Sequence, residues 1–182
     1  MRKSHDPALG VAAAVSTDED PVPQTTSLTK ELGRVEEANT RFYEAFALRD
    51  LDRMGQVWST TPYCRCVHPG WELVVGWHDI RKSWSEIFSS IVAVEFELED
   101  VHVEVAHRSA WVNLIAHVDI TTNENENFQA TVVTTNVFEK FDDDWRMVLH
   151  HSSNYFEDEA ADDEDELEDF DPSPGSGMSN AN

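Results

Sequence analysis

The chain is short of cysteine, of basic residues and of long apolar runs. Its 182 residues include two cysteines, Cys64 and Cys66, which are two positions apart. On a strand, two such residues point the same way with Cα atoms about 6.5–7 Å apart, at or beyond the usual limit for a disulfide. A reduced, cytoplasmic protein is therefore expected. No apolar run approaches the roughly 20 residues that span a membrane, and the short run at 8–15, interrupted by Gly10, is a poor secretory signal.

Basic residues are few as well. Thirteen Lys and Arg stand against 36 Asp and Glu, which gives a formal net charge of −23. Sequence-independent nucleic-acid binding depends on basic side chains that face phosphates, so this balance argues against it and equally against anionic membranes. We expect a partner that is neither nucleic acid nor membrane.

Both ends of the chain differ in composition from the middle. Residues 1–27 have three prolines and no apolar periodicity, and residues 157–182 hold eleven acidic residues and no Lys or Arg. Neither segment can bury enough apolar surface to offset the loss of chain entropy. The sequence therefore predicts a disordered N-terminal segment at 1–27, one domain at 28–156 and a disordered acidic tail at 157–182.

Helices are predicted ahead of the long strands. Apolar residues three and four positions apart indicate an amphipathic helix at about 28–46, in which Asn39 fills a gap in the apolar stripe. Asp50 is a candidate N-cap for a shorter helix that ends before Pro62. A third helix follows Gly76, with Trp84 on its buried face. Short strands are predicted at 63–67 and 71–75, on either side of a turn at 69–70.

From Val94 onward the apolar period changes to two. The apolar residues share one parity before Glu99-Asp100 and the other parity after it, which predicts a bulge there. Further strands are predicted at 110–121, 128–141 and 145–152. Helices segregated from antiparallel strands indicate an α+β fold, in which a strongly curved, mainly antiparallel sheet is covered by about three N-terminal helices to form a cone.

Aromatic and titratable residues cluster at 64–84. His68 lies at a strand end, where a histidine serves as acid, base or hydrogen-bond anchor, or equally as a structural residue that fixes the turn. Trp71 and Trp77 flank turns and are candidate walls of a pocket. Trp84 is a candidate wall too, although core packing is favoured for it. Tyr43 of the first helix points inward or lies at the surface.

A second polar cluster, 150–153, ends the last strand. The apolar residues of this strand alternate from Trp145 to Leu149, and His151 shares their parity. His151 is therefore predicted to point inward, and His150 to lie on the outer face, where it could form part of a dimer contact. Asn136 shares the face of His151 in one of two possible hairpin registers at 142–144, and the sequence leaves the register open.

A metal site formed by the cysteines is disfavoured. Cys64, Cys66 and His68, with His151 as a fourth ligand, are residue types that bind soft metals. However, three ligands that alternate along one strand span about 13 Å at ~3.3 Å per residue, so a single metal would require a sharp bend. Buried free thiols are the more common case. Neither a metal nor a cofactor is expected.

The motifs carry a resemblance to a known family. The order of elements, the HPGW block (68–71), the pairs Gly76-Trp77 and Ser83-Trp84, and WRMVLHHSS (145–153) resemble the SnoaL-like group of the nuclear transport factor 2-like (ketosteroid isomerase-like) superfamily, over about Leu32–Tyr155. The resemblance implies a cone-shaped fold with a small-molecule pocket, and a homodimer formed through the sheet. The superfamily contains isomerases, cyclases and dehydratases, but also transport adaptors and association domains.

Two functions are compatible with this resemblance. One is cofactor-independent acid–base chemistry on a small apolar or aromatic molecule, with His68 and His151 as the catalytic pair. The other is a non-catalytic module that binds a ligand or assembles as a dimer. The sequence does not distinguish the two functions or identify the ligand.

Overall fold

The structure, a computed structural model, describes the backbone of residues 23–155 and the side chains from Ser27 onward. Most of the predicted disordered N-terminal segment, and the predicted acidic tail, lie outside the described residues. The first helix begins at Pro23, ahead of the predicted domain boundary at residue 28. The helices are α1 (Pro23–Ala47), α2 (Leu51–Val57) and α3 (Trp77–Ser90), and the strands are β1 (Arg65–Val67), β2 (Val74–Val75), β3 (Ile91–Ala106), β4 (Ser109–Thr122), β5 (Asn127–Phe141) and β6 (Asp144–Asn154).

The six strands form one sheet in the order β2-β1-β6-β5-β4-β3. All neighbouring strands are antiparallel except β1 and β6, which run parallel. The sheet curls without closing. Helix α1 packs across β3, β4 and β6, and α3 packs against β1, β2 and β3. These contacts confirm the α+β class and the predicted cone of curved sheet and covering helices.

Local signals set the ends of the shorter helices. Oδ1 of Asp50 accepts hydrogen bonds from the backbone N–H groups of Asp52 and Arg53, which confirms Asp50 as the N-cap of α2. Gly76 precedes α3 with φ of 83°, a conformation that favours glycine. Among the helices of residues 23–155, none combines the length and the apolar character needed to cross a bilayer.

The predicted bulge in the first long strand is present. The pairing of β3 with β4 shifts register between Glu99 and His102, and Asp100 has φ of 48°. The extra residue changes which side chains of β3 face the helices. The strand can therefore curve while keeping apolar residues inside on both sides of the bulge.

A second bulge, in β6, is not visible in the sequence pattern. Val137 of β5 pairs with Leu149, whereas the next residue, Phe138, pairs with Met147. Val148 is therefore an extra residue in β6, opposite no residue of β5. The residues that follow Val148 lie on the opposite face from the one that simple alternation assigns to them.

Candidate binding cavity

The curled sheet and the helices line a partly open cavity of about 260 Å³. Its walls come from α1, α3 and the inner faces of β3, β4 and β5, and its polar side chains come from the end of β1, from β5 and from β6. Trp71 is 44% exposed and lies at the rim. The aromatic side chains of the wall are Phe42, Tyr43, Phe46, Trp84 and Phe96.

The main correction to the sequence prediction concerns two adjacent histidines. His150 is buried, with 5% of its surface exposed, and lines the cavity, whereas His151 is exposed. The predicted inward orientation of His151 and outward orientation of His150 are therefore wrong. The physical reason is the bulge at Val148, which exchanges the faces of all later residues in β6.

A chain of buried amides determines the hydrogen bonding of His150. Its Nδ1 lies 2.7 Å from Oδ1 of Asn136, and Nδ2 of Asn136 donates to Oδ1 of Asn39 at 2.8 Å. A carbonyl oxygen can only accept, so Nδ1 of His150 carries the proton of the neutral ring. Nε2 then holds a lone pair, and no hydrogen-bond donor of the described residues meets it.

The pairing of Asn136 establishes the register of the hairpin between β5 and β6, which the sequence leaves open. It pairs with His150 across the two last strands and is fully buried. It therefore shares the face of His150 rather than that of His151. Asn136 is not part of the cavity wall; it lies behind the imidazole and holds it.

His68 contributes a second imidazole to the same cavity. It is 3% exposed, and its Nε2 lies 2.9 Å from Oγ of Ser83. The single hydroxyl proton of Ser83 is donated to the carbonyl oxygen of Ile80 at 2.8 Å. Nε2–H of His68 therefore donates to Ser83, and Nδ1 of His68 holds the lone pair. The ring centroids of His68 and His150 are 6.3 Å apart.

The turn after β1 brings the rim tryptophan beside His68. The backbone N–H of Trp71 donates to the carbonyl oxygen of His68 at 2.9 Å, and Gly70 within this turn has φ of 78°. The Trp71 ring lies 5.1 Å from that of His68, edge to face. The HPGW block is thus a tight turn that places one imidazole in the wall and one indole at the rim.

Burial keeps the titratable groups of the cavity uncharged. Desolvation lowers the pKa of His68 to about 4. Desolvation, followed by the neighbouring rings of His68 and His151, lowers the pKa of His150 to about 3. Burial raises the pKa of Tyr43 to about 12, and its hydroxyl, although near Thr134 and Asn136, makes no hydrogen bond of good geometry in the described structure. No Lys, Arg, Asp or Glu of the described residues lines this cavity.

Acidification is expected to destabilise the fold through the two buried imidazoles. Histidine has an ordinary pKa of about 6.5, so below that pH the unfolded chain binds protons that the folded protein does not. The free energy of unfolding should be constant between about pH 7 and pH 8 and fall as the pH decreases towards about 4, by at most about 1.4 kcal/mol per pH unit for each ring. Urea unfolding between pH 7.5 and pH 5 measures this slope.

Two variants distinguish the contribution of the buried histidines to this pH dependence from that of surface histidines. His68→Gln should show about half of the wild-type slope, because one of the two buried rings remains. His78→Gln should keep the full slope, since the side chain of His78 is 93% exposed. An unchanged slope in His68→Gln would contradict this account.

The structure brings together only part of the predicted pocket. Tyr43, whose orientation the sequence leaves open, is 8% exposed and faces the cavity together with Trp84 and Trp71. Trp77 does not reach the cavity. It stacks on Trp58 with ring centroids 6.1 Å apart and lines a separate hollow on the surface.

The two cysteines are both free and buried. Sγ of Cys64 donates to the carbonyl oxygen of Ser59 at 3.2 Å, and Sγ of Cys66 lies 3.6 Å from Nε2 of His68. Within residues 23–155, no group of three or more His, Cys, Asp or Glu side chains is arranged to hold a metal ion.

Sequence reasoning missed several polar residues of the site. Asn39 interrupts an apolar helix stripe, which is a usable signal for a buried polar contact. Thr134 and Ser152 share a hydrogen bond of 2.9 Å in the cavity wall. Ser152 and His150 both point into the cavity from β6. The sequence does not reveal this orientation, because it does not show the bulge at Val148.

Known proteins resemble this chain in sequence and in fold. The SnoaL-like domain family matches residues 35–157. A solved structure from Streptomyces avermitilis, provisionally named a dehydratase of the NTF2-like family, is 28% identical with a TM-score of 0.67, over 71% of this chain and 99% of that chain. A second, from Thiobacillus denitrificans and provisionally named a calcium/calmodulin-dependent protein kinase type II association domain, is 28% identical with a TM-score of 0.59, over 66% and 94% of the two chains.

One related protein is much longer than the region that it shares with this chain. The F-box protein SKIP8 of Arabidopsis thaliana is 30% identical over 115 residues, which are 63% of this chain and 47% of that protein. The present chain spans about half the length of that relative.

Proposed function

The chain belongs to the SnoaL-like domain family, and on that premise we propose that it binds a small, uncharged molecule of one or two rings inside the cone. The observation that carries this proposal is the partly open cavity with aromatic walls and two neutral imidazoles. Its volume of about 260 Å³ exceeds the ~150 Å³ of an engineered cavity that holds benzene. It lies just below the ~300–1,000 Å³ of pockets for drug-sized ligands.

Binding of 2-naphthol, a two-ring probe, tests this proposal. We expect a dissociation constant on the order of 10–100 µM, measured by calorimetry. Ala116→Leu should weaken binding at least about tenfold, because Ala116 lines the cavity with 1% exposure and the added carbons occupy the ligand's space. Val101→Leu is the matched control, since Val101 is 44% exposed and does not line the cavity. Equal affinity of Ala116→Leu and wild type would contradict the proposal.

Proton transfer without a cofactor is the second candidate function. It is favoured by the lone pair of Nε2 of His150, whose ring lines the cavity and has Nδ1 occupied by Asn136. A pKa of about 3 makes this ring a weak base in the empty site. Negative charge that develops on a bound ligand would stabilise the protonated ring and raise that pKa. The relative from Streptomyces avermitilis, provisionally named a dehydratase, supports this candidate.

Homodimerisation through the outer face of the sheet is a further part of the proposal. Trp111 and Val133 are 38% and 41% exposed on this face, and a second copy of the chain would cover them. The 28% identity to a protein provisionally named an association domain supports assembly through this fold. We also retain a cytoplasmic location as a proposal, which is supported by the two free cysteines.

A further inference from the structure

The hydrogen-bonding pattern of the cavity discriminates among ligands, and this inference rests on the proposed function. We propose that the site selects uncharged ligands that donate a hydrogen bond, such as the hydroxyl of a phenol or an enol, to Nε2 of His150. In this proposal Asn136 is the positioning residue that keeps Nε2 an acceptor. Neither residue contributes a charge, so the selection comes from the direction of the hydrogen bonds.

The amide of Asn136 is occupied at both ends. Its Oδ1 faces Nδ1 of His150 at 2.7 Å, and its Nδ2 faces Oδ1 of Asn39 at 2.8 Å. All three residues are at most 5% exposed. With Oδ1 of Asn136 facing Nδ1 of His150, the proton of the neutral imidazole lies on Nδ1 and the lone pair on Nε2.

The remaining polar groups favour a ligand hydroxyl. His68 already donates its ring proton to Ser83, so it offers the ligand no donor. Thr134 and Ser152 line the cavity and share one hydrogen bond of 2.9 Å, which uses one of their two hydroxyl protons and leaves the other to donate. A ligand hydroxyl can donate to His150 and accept from this pair at the same time.

Charged ligands are disfavoured by the wall. The His150 ring packs 4.9 Å from Phe42 and 5.9 Å from Trp84, measured between ring centroids. No side chain of opposite charge, among the described residues that line the cavity, is present to pair with a carboxylate or an ammonium group. Burying an unpaired charge in such a site is costly.

Three probes of similar size test the selection at pH 7.5. 2-Naphthol donates and accepts, quinoline only accepts, and 2-naphthoate is charged. For the full-length protein we expect 2-naphthol to bind about tenfold more tightly than quinoline and at least about a hundredfold more tightly than 2-naphthoate. Binding of none of the three would overturn the proposed function together with this inference. Equal affinities, or tightest binding of quinoline or 2-naphthoate, would overturn the inference alone and leave a binding pocket.

Asn136→Leu tests the role of the amide. Leucine is close to asparagine in size but accepts no hydrogen bond from Nδ1, so the neutral ring can carry its proton on Nε2, which then donates to an acceptor. The preference for 2-naphthol over quinoline should fall from about tenfold to about one or below. Asn127→Leu, at the exposed start of β5, is the matched control and should keep the wild-type preference. A wild-type preference in Asn136→Leu would overturn the positioning role.

A measurement on the unaltered protein covers the case in which Asn136→Leu does not fold. Nitrogen-15 NMR of the histidine rings distinguishes protonated from bare ring nitrogens. We expect His150 to have a protonated Nδ1 and a bare Nε2 at pH 7.5. The opposite tautomer would overturn the proposal.

Discussion

Replacing Trp84 with alanine is expected to lower the free energy of unfolding by about 3–5 kcal/mol. The indole, on α3, is fully buried against α1 and the histidine that follows β1. Its ring lies 4.6 Å from that of His68, 4.8 Å from Phe46 and 5.6 Å from Phe42. Removing the indole would leave a void against all three, because neighbouring side chains refill such a space only in part. Urea unfolding followed by far-ultraviolet circular dichroism measures the loss.

The rim tryptophan provides the control for this substitution. Trp71 is 44% exposed, so Trp71→Ala should change the free energy of unfolding by less than about 1 kcal/mol. Because Trp71 lies at the mouth of the cavity, the same variant should weaken the binding of 2-naphthol. A loss below about 1 kcal/mol in Trp84→Ala would show that the indole is not the centre of the aromatic cluster.

Exchanging His150 for glutamine should abolish proton transfer if the protein catalyses it. A suitable probe is 2-tetralone in D₂O, in which exchange of the hydrogens next to the carbonyl is followed by proton NMR. Nε2 of His150 takes the proton from carbon, the electron pair passes to the enolate, and a deuteron returns to the carbon. Glutamine cannot accept this proton, so we expect the catalysed rate to fall about 10²–10⁴-fold.

The adjacent residue is the matched control. His151→Gln should leave the rate unchanged, because His151 is exposed on the outer face. Loss of the rate in His151→Gln with retention in His150→Gln would reverse the assignment. A wild-type rate no greater than that of buffer would eliminate catalysis and leave the binding proposal intact.

Much of the fold could be predicted from local patterns. The change of period near Val94 separates the helices from the long strands, and the parity change at Glu99-Asp100 reveals the bulge in β3 because the residues on each side alternate strictly. Asp50 is a good N-cap in any context, since it satisfies backbone N–H groups of its own helix. Signals of this kind depend on residues that are close in the sequence, so a single sequence is enough to detect them.

The geometry of the site could be predicted only in part. Met147, Val148 and Leu149 are all apolar, so the run hides the extra residue and simple alternation assigns the wrong histidine to the cavity. A bulge depends on two strands, and its position follows from how β6 pairs with β5. Trp77 was misplaced for a similar reason: a residue beside a turn can face either side, and here it packs on Trp58 instead.

The most direct test of the central claim is mass spectrometry of small molecules released from the protein after gentle purification from its own host. Ala116→Leu, purified in parallel, provides the comparison, because its added carbons occupy part of the cavity. We expect an uncharged, hydroxyl-bearing compound of one or two rings that is enriched in the wild-type extract and depleted in that of the variant. Identical extracts, or enrichment of a charged compound, would contradict it.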